Sequence, residues 1–403
     1  MKYNKKNIFA SYIFILVTIV NFVFLSSIEL NKNIIAIKNI SNLLVLILLV
    51  SYFIKKSDVR MLILKNNYMV NILFFYCLCS YFWSISKGTT AWQTIGVIYI
   101  ISISLFILIH YEYDYIKIID YIYKYLSILS IINFFAIILF PNISLMVDNR
   151  YESVYKGIFE HRNTLGLFMA MCILFSIYKI ILNNKSIYSY FILVVSIVNI
   201  VASKSVTCII LTLLCGLYYI VSVKRKLKRT NIIILCGSIF LNSVLLLSNS
   251  ISSNKILTVI GRDATFSGRT SIWQITIELI KQSKWLGYGY RSIWANQVFE
   301  QYYYGNLLGF GPSSSHNGVL DLFLELGILG AVVYLFFLIN LIRRYNAQKN
   351  DGNIKSLNIL FVMIIFIFNY NLMESSLLTP TFVLLLQIII YNLLGIINKK
   401  DFK

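Results

Sequence analysis

Apolar residues dominate the chain in long runs, without the alternating or one-faced patterns of soluble strands and helices. A helix that crosses a bilayer needs about 20 consecutive apolar residues. Twelve stretches of the sequence meet or approach this requirement. We expect spanning helices at residues 8–28, 34–54, 69–85, 91–109, 121–140, 163–182, 187–202, 206–223, 231–248, 318–342, 357–373 and 377–397. The predicted fold class is an all-α polytopic membrane protein with about 12 transmembrane helices.

Two polar segments are too long to be simple connections between spans. One runs over 141–162 and the other over 249–317. The chain therefore divides into spans one to nine in 1–248, a large loop over 249–317, and spans ten to twelve with a tail in 318–403. Within the large loop, apolar residues recur at helical spacing, which predicts an amphipathic helix over 270–284 that lies on the bilayer or covers a cavity.

Composition and charge fix the class and the orientation. The chain has 403 residues, of which 58% are hydrophobic and 13% charged, whereas soluble domains carry about 25% charged residues. The net charge of +20 would suggest nucleic acid in a soluble protein. Here most Lys and Arg fall in short loops on one side, which is the positive-inside pattern. We therefore expect both termini in the cytoplasm, the large loop outside, and no nucleic-acid partner.

The candidate chemistry lies on the predicted outer side. His161 and His316 each directly precede a span and each have an asparagine close by. Histidine is the natural proton acceptor near neutral pH, although a single loop histidine is usually only solvated. Arg269 would stand at the start of the amphipathic helix, where free backbone N–H groups also favour an anion.

Several other charged residues have two interpretations each. Asp321 and Glu325 share one face of span ten, where they either pair with basic side chains or face a wet cavity. Glu374, at the outer end of span eleven, has the same alternatives. Lys204 in a tight outer turn is an ordinary turn residue or a cation directed into the same cavity. The His, Asp and Glu residues have no metal-ligand spacing, so we expect no metal and no cofactor.

Three motifs resemble the O-antigen ligase/polymerase superfamily of bacterial polysaccharide assembly. Residues 157–166 read GIFEHRNTLG, similar to the family's G-x-F-x-H-(basic)-N-x-x-G. Residues 267–273 read SGRTSIW and are followed by WLGYG at 285–289. Residues 316–320 read HNGVL and precede ELGILG at 325–330. The family often has Ser-Arg where this chain has Ser203 and Lys204. The run before Ser267 is closer to the exopolysaccharide-polymerase branch than to the lipopolysaccharide-core ligases.

The resemblance implies a metal-independent inverting glycosyltransferase that polymerises repeat units carried on undecaprenyl pyrophosphate, with 249–317 as its catalytic loop. It implies that Arg269 stabilises the pyrophosphate and that His316 orients or deprotonates the acceptor hydroxyl. Eight further residues are candidates for substrate binding. They would help Arg269, position His316 or shape the site for the lipid-linked substrate. They are Arg262, Arg291, Lys204, His161, Arg162, Asn163, Asn317 and Glu325.

Alternatives remain at the level of the sequence. A ligase that moves the glycan to another acceptor would share the donor chemistry. Charged residues deep in several spans would support a lipid-linked oligosaccharide transporter. This chain keeps its charged residues mostly at the ends of the spans. A non-catalytic assembly component would leave the three motifs unexplained. The expected location is the bacterial cytoplasmic (inner) membrane, with the lipid-linked oligosaccharide and the bilayer as partners, and flippase and chain-length regulator proteins as candidate partners.

Overall fold

The computed structural model describes residues 12–20, 32–54, 66–148, 151–182, 186–225, 269–296, 312–348 and 354–396. This part of the chain is predominantly helical. The helices are α1 (12–20), α2 (Lys32–Ile54), α3 (Tyr68–Cys79), α4 (Lys87–His110), α5 (Tyr115–Leu139), α6 (Pro141–Ser144), α7 (Arg162–Leu182), α8 (Ile187–Ala202), α9 (Val206–Arg225), α10 (Arg269–Gln282), α11 (Gly318–Ala347), α12 (Ile354–Tyr370) and α13 (Phe382–Ile396). Short 3-10 turns follow at Ser80–Phe82 and Ile293–Ala295.

The helices coincide with the predicted spans over most of the described chain. Ten of the twelve predicted spans match a helix there, and α1 lies within the first. The ninth span, 231–248, lies outside the described residues. Six described helices are long and apolar enough to cross a membrane, namely Ile35–Ile54, Lys87–His110, Tyr115–Leu139, Arg162–Leu182, Val206–Lys224 and Gly318–Ala347. Four shorter apolar helices accompany them in the same residues, and the total of twelve spans stays a prediction.

Helix α7 lies at the centre of the bundle. It packs against α5, α8, α9 and α12. In its most apolar stretch of 18 residues, 72% of the residues are buried inside the protein. By contrast, only 17% of the corresponding stretch of α2 is buried, so α2 presents its side chains to the surroundings of the bundle. Because α7 begins at Arg162, directly after the first motif, the motif is held at the end of the most enclosed helix.

The polar segment 141–162 contains a small sheet that the sequence did not predict. Strands β1 (Leu145–Asp148) and β2 (Tyr151–Tyr155) pair antiparallel, with Leu145 opposite Tyr155 and a register shift between Met146 and Asp148. The all-α prediction therefore needs this correction. The physical reason is local: aromatic and β-branched residues in β2 favour extended backbone over helix.

Helix α10 matches the predicted amphipathic helix, and its apolar face packs on protein. Ile272, Ile275 and Leu279 form the predicted stripe, and all three are buried in a cluster with Leu324 of α11. The indole N–H of Trp273 donates to the carbonyl of Ser315 at 2.9 Å. The helix thus lies against the start of α11, and Arg269 is at the same end of the bundle as the first residues of α11.

Helix α11 is interrupted at Gly327, where φ is +65° and ψ −168°. The turn 284–289 replaces the lost helical hydrogen bonds. The N–H groups of Tyr288 and Gly289 donate to the carbonyls of Leu324 and Glu325 at 3.0 and 2.9 Å. Two further bonds run the other way, from the N–H groups of Ile328 and Leu329 to the carbonyls of Lys284 and Trp285.

Two glycines permit this close approach of backbones. A Cβ on Gly287 would lie 2.5 Å from the carbonyl carbon of Glu325, and a Cβ on Gly327 would lie 2.3 Å from the carbonyl oxygen of Trp285. Both residues also have positive φ, which other residues adopt at a cost. The apolar run 318–342 predicts one continuous spanning helix, and the interruption at Gly327 corrects that prediction.

The segment 371–381 connects α12 to α13 and is held by side-chain contacts. The carboxamide oxygen of Asn371 accepts from the N–H of Ser376 at 2.7 Å. The N–H of Gly318 donates to the carbonyls of Asn371 and Glu374 at 2.8 and 3.1 Å. Helix α13 starts at Phe382 and not at the predicted 377, because Pro380 disfavours a helical conformation for the residue before it.

Candidate functional site

Glu374 is the centre of a cluster formed by residues from distant parts of the chain. Its Oε1 atom accepts from Asn163 Nδ2 at 2.6 Å and from Arg269 Nη2 at 2.7 Å. Its Oε2 atom lies 3.4 Å from His316 Nδ1. Helices α7 and α10, the turn before α11 and the segment after α12 therefore meet at one carboxylate.

The carboxylate of Glu374 is ionised in this setting. Burial alone would raise its pKa, since the side chain is only 14% exposed. The hydrogen bond from His316 and the charge of Arg269 outweigh burial and hold the pKa of Glu374 below its ordinary value. Glu374 thus keeps a full negative charge over the pH range in which enzymes are normally assayed.

His316 occupies a backbone conformation that supports its contact with Glu374. Its φ is +53°, in the left-handed region, where histidine is more frequent than most residues other than glycine. Its side chain is 32% exposed, so the ring is open to a ligand. Because a carboxylate can only accept, the Nδ1 atom that faces Glu374 carries a proton, and in the neutral ring Nε2 is then the acceptor.

His161 has the opposite arrangement of its ring nitrogens. The backbone N–H of Asn163 donates to His161 Nδ1 at 3.1 Å, so His161 caps the start of α7 with its side chain. An Nδ1 atom that accepts a hydrogen bond carries no proton, and the neutral ring therefore has its N–H at Nε2. The two histidines consequently offer different chemistry: an acceptor on His316 and a donor on His161.

Both histidines line one cavity of about 290 Å³. The cavity lies beside the carboxylate of Glu374 and has a mixed surface of hydroxyl, imidazole and aromatic groups. Its other lining residues are Asn163, Thr164, Leu167, Phe168, Ser313, Ser314, Tyr370, Glu374, Ser375, Ser376, Thr379, Thr381, Phe382 and Val383. We call this the Glu374 cavity. Such a lining suits a ligand with hydroxyl groups and apolar faces.

Arg162 and Lys204 brace the ends of helices next to this cavity. The guanidinium of Arg162 is buried, and its Nη1 atom donates to the carbonyl of Lys204 at 2.9 Å. Lys204 has a φ of +49° in the tight turn before α9, and its ammonium donates to the carbonyl of Ser153 at 3.3 Å. Asn163 continues the same brace, because its Oδ1 atom accepts from Ser205 at 3.0 Å.

Arg291 and Glu325 form a second charged pair. The backbone N–H of Arg291 donates to Glu325 Oε2 at 3.0 Å, and its guanidinium Nη1 lies 3.6 Å from Oε1. The pair lines a small cavity of about 20 Å³ with Asp321. Ser375 and Thr379 line both this and the Glu374 cavity, so segment 371–381 is the wall between them. The basic partner predicted for Glu325 is therefore Arg291.

Asn317 has a structural position. Its Oδ1 atom accepts from the N–H groups of Val319 and Leu320 and so caps α11, while its Nδ2 atom donates to the carbonyl of Leu372 at 3.2 Å. The side chain is fully buried. Asn317 thereby holds the turn that carries His316, and it is not open to a ligand.

Arg262 and the first two residues of the SGRTSIW motif lie outside the described residues. Within the described ranges, there is no group of three His, Cys, Asp or Glu side chains that could hold a metal ion.

Glu374 is the residue of this cluster that the sequence did not assign to the site. Its only signal was a lone carboxylate at the end of a span.

The apolar helices and the polar cavity at their ends define a multi-pass membrane protein. Residues 191–335 match the family model described as O-antigen ligase, which confirms the predicted resemblance over that part of the chain. This range contains Arg269, Arg291 and His316, whereas His161 and Glu374 lie outside it.

A curated relative is similar over a shorter stretch. It is the "Exopolysaccharide production protein ExoQ" of Rhizobium meliloti (strain 1021), which is 33% identical over 90 residues. The match covers 21% of this chain and about a fifth, 20%, of the length of the relative.

Proposed function

We propose that the chain polymerises oligosaccharide repeat units carried on undecaprenyl pyrophosphate into a surface polysaccharide. The reaction would take place on the outer face of the cytoplasmic membrane. The observation that carries the proposal is the hydrogen-bonded group of Arg269, Glu374 and His316 beside a cavity of about 290 Å³. The family match and the exopolysaccharide relative support the substrate class.

His316 would act as the general base. Glu374 orients its ring and stabilises the positive charge that develops when Nε2 takes a proton, which is the logic of a carboxylate–histidine pair. The oxygen of the acceptor hydroxyl forms a bond to the anomeric carbon as its proton passes to Nε2. The bond between that carbon and the pyrophosphate oxygen breaks, and undecaprenyl pyrophosphate leaves with the electron pair. Attack opposite the leaving group inverts the anomeric centre.

Arg269 would stabilise the leaving pyrophosphate. A guanidinium has five N–H donors, and the contact of Nη2 with Glu374 leaves other donors for phosphate oxygens. Arg269 is also the first residue of α10, where unpaired backbone N–H groups favour an anion. His161, as an Nε2–H donor in the same cavity, would hold a sugar or phosphate oxygen. Neither role requires a metal ion.

A ligase is the second candidate. The matched family model is described as O-antigen ligase, and the donor chemistry would be the same. The acceptor would then be a lipid core or a protein and not a second repeat unit. A genomic neighbourhood with a repeat-unit flippase and glycosyltransferases would favour the polymerase, as would growth of a ladder from purified repeat units. Flippase and chain-length regulator proteins would be the partners of a polymerase.

The test is the polymer ladder formed by substituted proteins at matched abundance. Arg269→Ala should lower turnover about 10²-fold or more, and Arg269→Lys should restore it only in part because the fork is lost. His316→Ala should lower turnover about 10²–10⁴-fold. Arg343→Ala, an exposed arginine near the opposite end of α11, is the matched control and should leave the ladder unchanged. Normal ladders from Arg269→Ala and His316→Ala would refute the proposal.

A further inference from the structure

A second cavity of about 240 Å³ lies between α2 and α4. It is separate from the groups that the proposed reaction uses. Its lining residues are Lys38, Asn39, Asn42, Leu43, Leu46, Trp92, Gln93, Ile95, Gly96, Tyr99 and Pro380. We call it the Lys38 cavity. It combines a cation, three carboxamides, a hydroxyl and an indole on helices that are otherwise apolar.

Two polar atoms in this cavity lack a partner within the described residues. The side chain of Tyr99 is only 5% exposed, and its hydroxyl is buried without a hydrogen bond. The carboxamide oxygen of Asn42 is likewise buried and unbonded. A buried polar group without a partner costs about 1–3 kcal/mol. Both atoms have almost no accessible surface, so they lie within the wall of the cavity, and the groups that a ligand can contact include the ammonium of Lys38 and the indole of Trp92.

The depth and opening of the cavity fit a lipid headgroup. Lys38 lies six residues into α2 and Trp92 five residues into α4, which places both about 8–9 Å below the helix starts. This is the depth of the interface of a bilayer and not of its centre. Leu43 and Trp92, which line the cavity, are 39% and 44% exposed, so it opens on the outward face of α2 and α4.

The Lys38 cavity is next to the Glu374 cavity. Thr379 and Thr381 line the latter, and Pro380 between them lines the former. Gly96 of α4 makes room for this contact, because a Cβ there would lie 3.1 Å from Pro380 Cγ. Lys38 also interacts electrostatically with Glu160, the residue before His161. A saccharide anchored in one cavity can therefore reach the other across a single residue.

We propose that the Lys38 cavity binds the phosphate-bearing headgroup of a second lipid-linked saccharide, the acceptor, while the donor occupies the Glu374 cavity. The ammonium of Lys38 binds phosphate oxygens, and the carboxamides of Asn39 and Gln93 bond to sugar hydroxyls. The indole of Trp92 packs on a sugar face. The assignment of acceptor and donor rests on the proposed function, whereas the binding of a lipid-linked phosphate does not.

The first arm of the test counts bound lipid. Purified protein is titrated with undecaprenyl pyrophosphate, and the complexes are counted by native mass spectrometry. Wild-type protein should bind two molecules, and Lys38→Gln and Trp92→Leu should each weaken one of the two by about 10-fold or more, because a phosphate contact or a packing contact with the sugar is lost. Lys87→Gln, an exposed lysine in the first turn of α4, is the matched control and should bind two. Excess inorganic pyrophosphate should not displace the second molecule.

The second arm measures the reaction with substrates that have one role each. The donor lacks the acceptor hydroxyl, and the acceptor carries a phosphonate that cannot leave. Lys38→Gln should raise the KM for the acceptor about 10-fold and leave kcat and the donor KM unchanged. Two bound lipids and unchanged acceptor KM in both Lys38→Gln and Trp92→Leu would overturn the inference, even with Arg269→Ala inactive. Displacement by inorganic pyrophosphate would overturn the lipid assignment. Normal transfer by Arg269→Ala and His316→Ala would instead refute the proposed function, and the lipid count would still decide the Lys38 cavity.

Discussion

Glu374 binds three side chains that come from three separate parts of the chain. Arg269 is 105 residues away in sequence, Asn163 is 211 away, and His316 is 58 away. The sequence predicted that Arg269 and His316 act together, because their motifs resemble one family. It left Glu374 as one carboxylate among several, since no local pattern indicates which distant cation a carboxylate contacts. Folding of the helices supplied that information.

The charge of Glu374 leads to a prediction about stability. Glu374→Gln keeps the shape but removes the charge that pairs with Arg269, so unfolding free energy at neutral pH should fall by about 1–3 kcal/mol. The folded pKa of Glu374 is lower than its unfolded value, so the pair stabilises the protein above the unfolded pKa of about 4.3. This contribution disappears as pH falls through the still lower folded pKa.

Thermal unfolding in detergent at neutral and at acidic pH is the measurement. The difference between wild type and Glu374→Gln should be present at pH 7 and should narrow as the pH falls below about 4. Glu278→Gln, an exposed carboxylate on α10, is the control and should have little effect at either pH. An equal loss for Glu374→Gln at both pH values would contradict the charge-based explanation.

Helix α11 shows what the pattern of apolar residues can and cannot predict. The run from 318 to 342 correctly predicted an apolar helix starting at Gly318. The interruption at Gly327 was not predicted, because glycines in an apolar helix also permit close helix contacts. The distinction depends on the turn 284–289, whose backbone replaces the missing helical bonds. A periodicity within one segment contains no information about a partner segment.

The interruption gives a prediction at the scale of this element. Gly327→Ala would place a Cβ 2.3 Å from the carbonyl oxygen of Trp285 and force a side chain into positive φ. We expect a loss of several kcal/mol of stability, from about 1–2 kcal/mol of backbone strain plus the steric overlap. The measurement is the folded fraction after detergent extraction, followed by size-exclusion chromatography and a thermal scan.

Gly88→Ala is the matched control for this substitution. Gly88 lies in the first turn of α4, has no atom within 4 Å of a built Cβ, and is in a helix where alanine is favoured. It should fold as well as wild type or better. A Gly327→Ala protein that melts at the wild-type temperature would show that α11 closes into a regular helix without consequence.

At the scale of the whole molecule, hydropathy predicted the place of most helices in the described residues. Their ends moved by several residues where side chains decide the boundary, as at Pro380 before α13. The cavities could not be predicted, because each is formed by helices that are distant in sequence. The Lys38 cavity is an example: Lys38 and Tyr99 belong to predicted spans two and four, and only the packing of α2 on α4 brings them together.

The predicted orientation is testable by labelling single cysteines in a cysteine-free protein. Probes at Gln282 and Ser313, both exposed in the structure, should react with a membrane-impermeant maleimide in intact cells. A probe at Lys117, which is exposed in the first turn of α5, should react only after the membrane is permeabilised. Labelling of Gln282 and Ser313 from the inside only would reverse the orientation and remove the basis for an outer-face reaction.

The exchange of backbone hydrogen bonds at Gly327 has a consequence for biogenesis. Before the turn 284–289 docks, Ile328 and Leu329 can bond to Leu324 and Glu325 as in any helix, so the bilayer accepts α11 as one uninterrupted segment. Docking then substitutes bonds from the turn for bonds within the helix. Backbone groups are satisfied both before and after. Insertion of α11 therefore does not require the turn to be in place, and docking of the turn is a separate, later step that needs no breakage of the transmembrane segment.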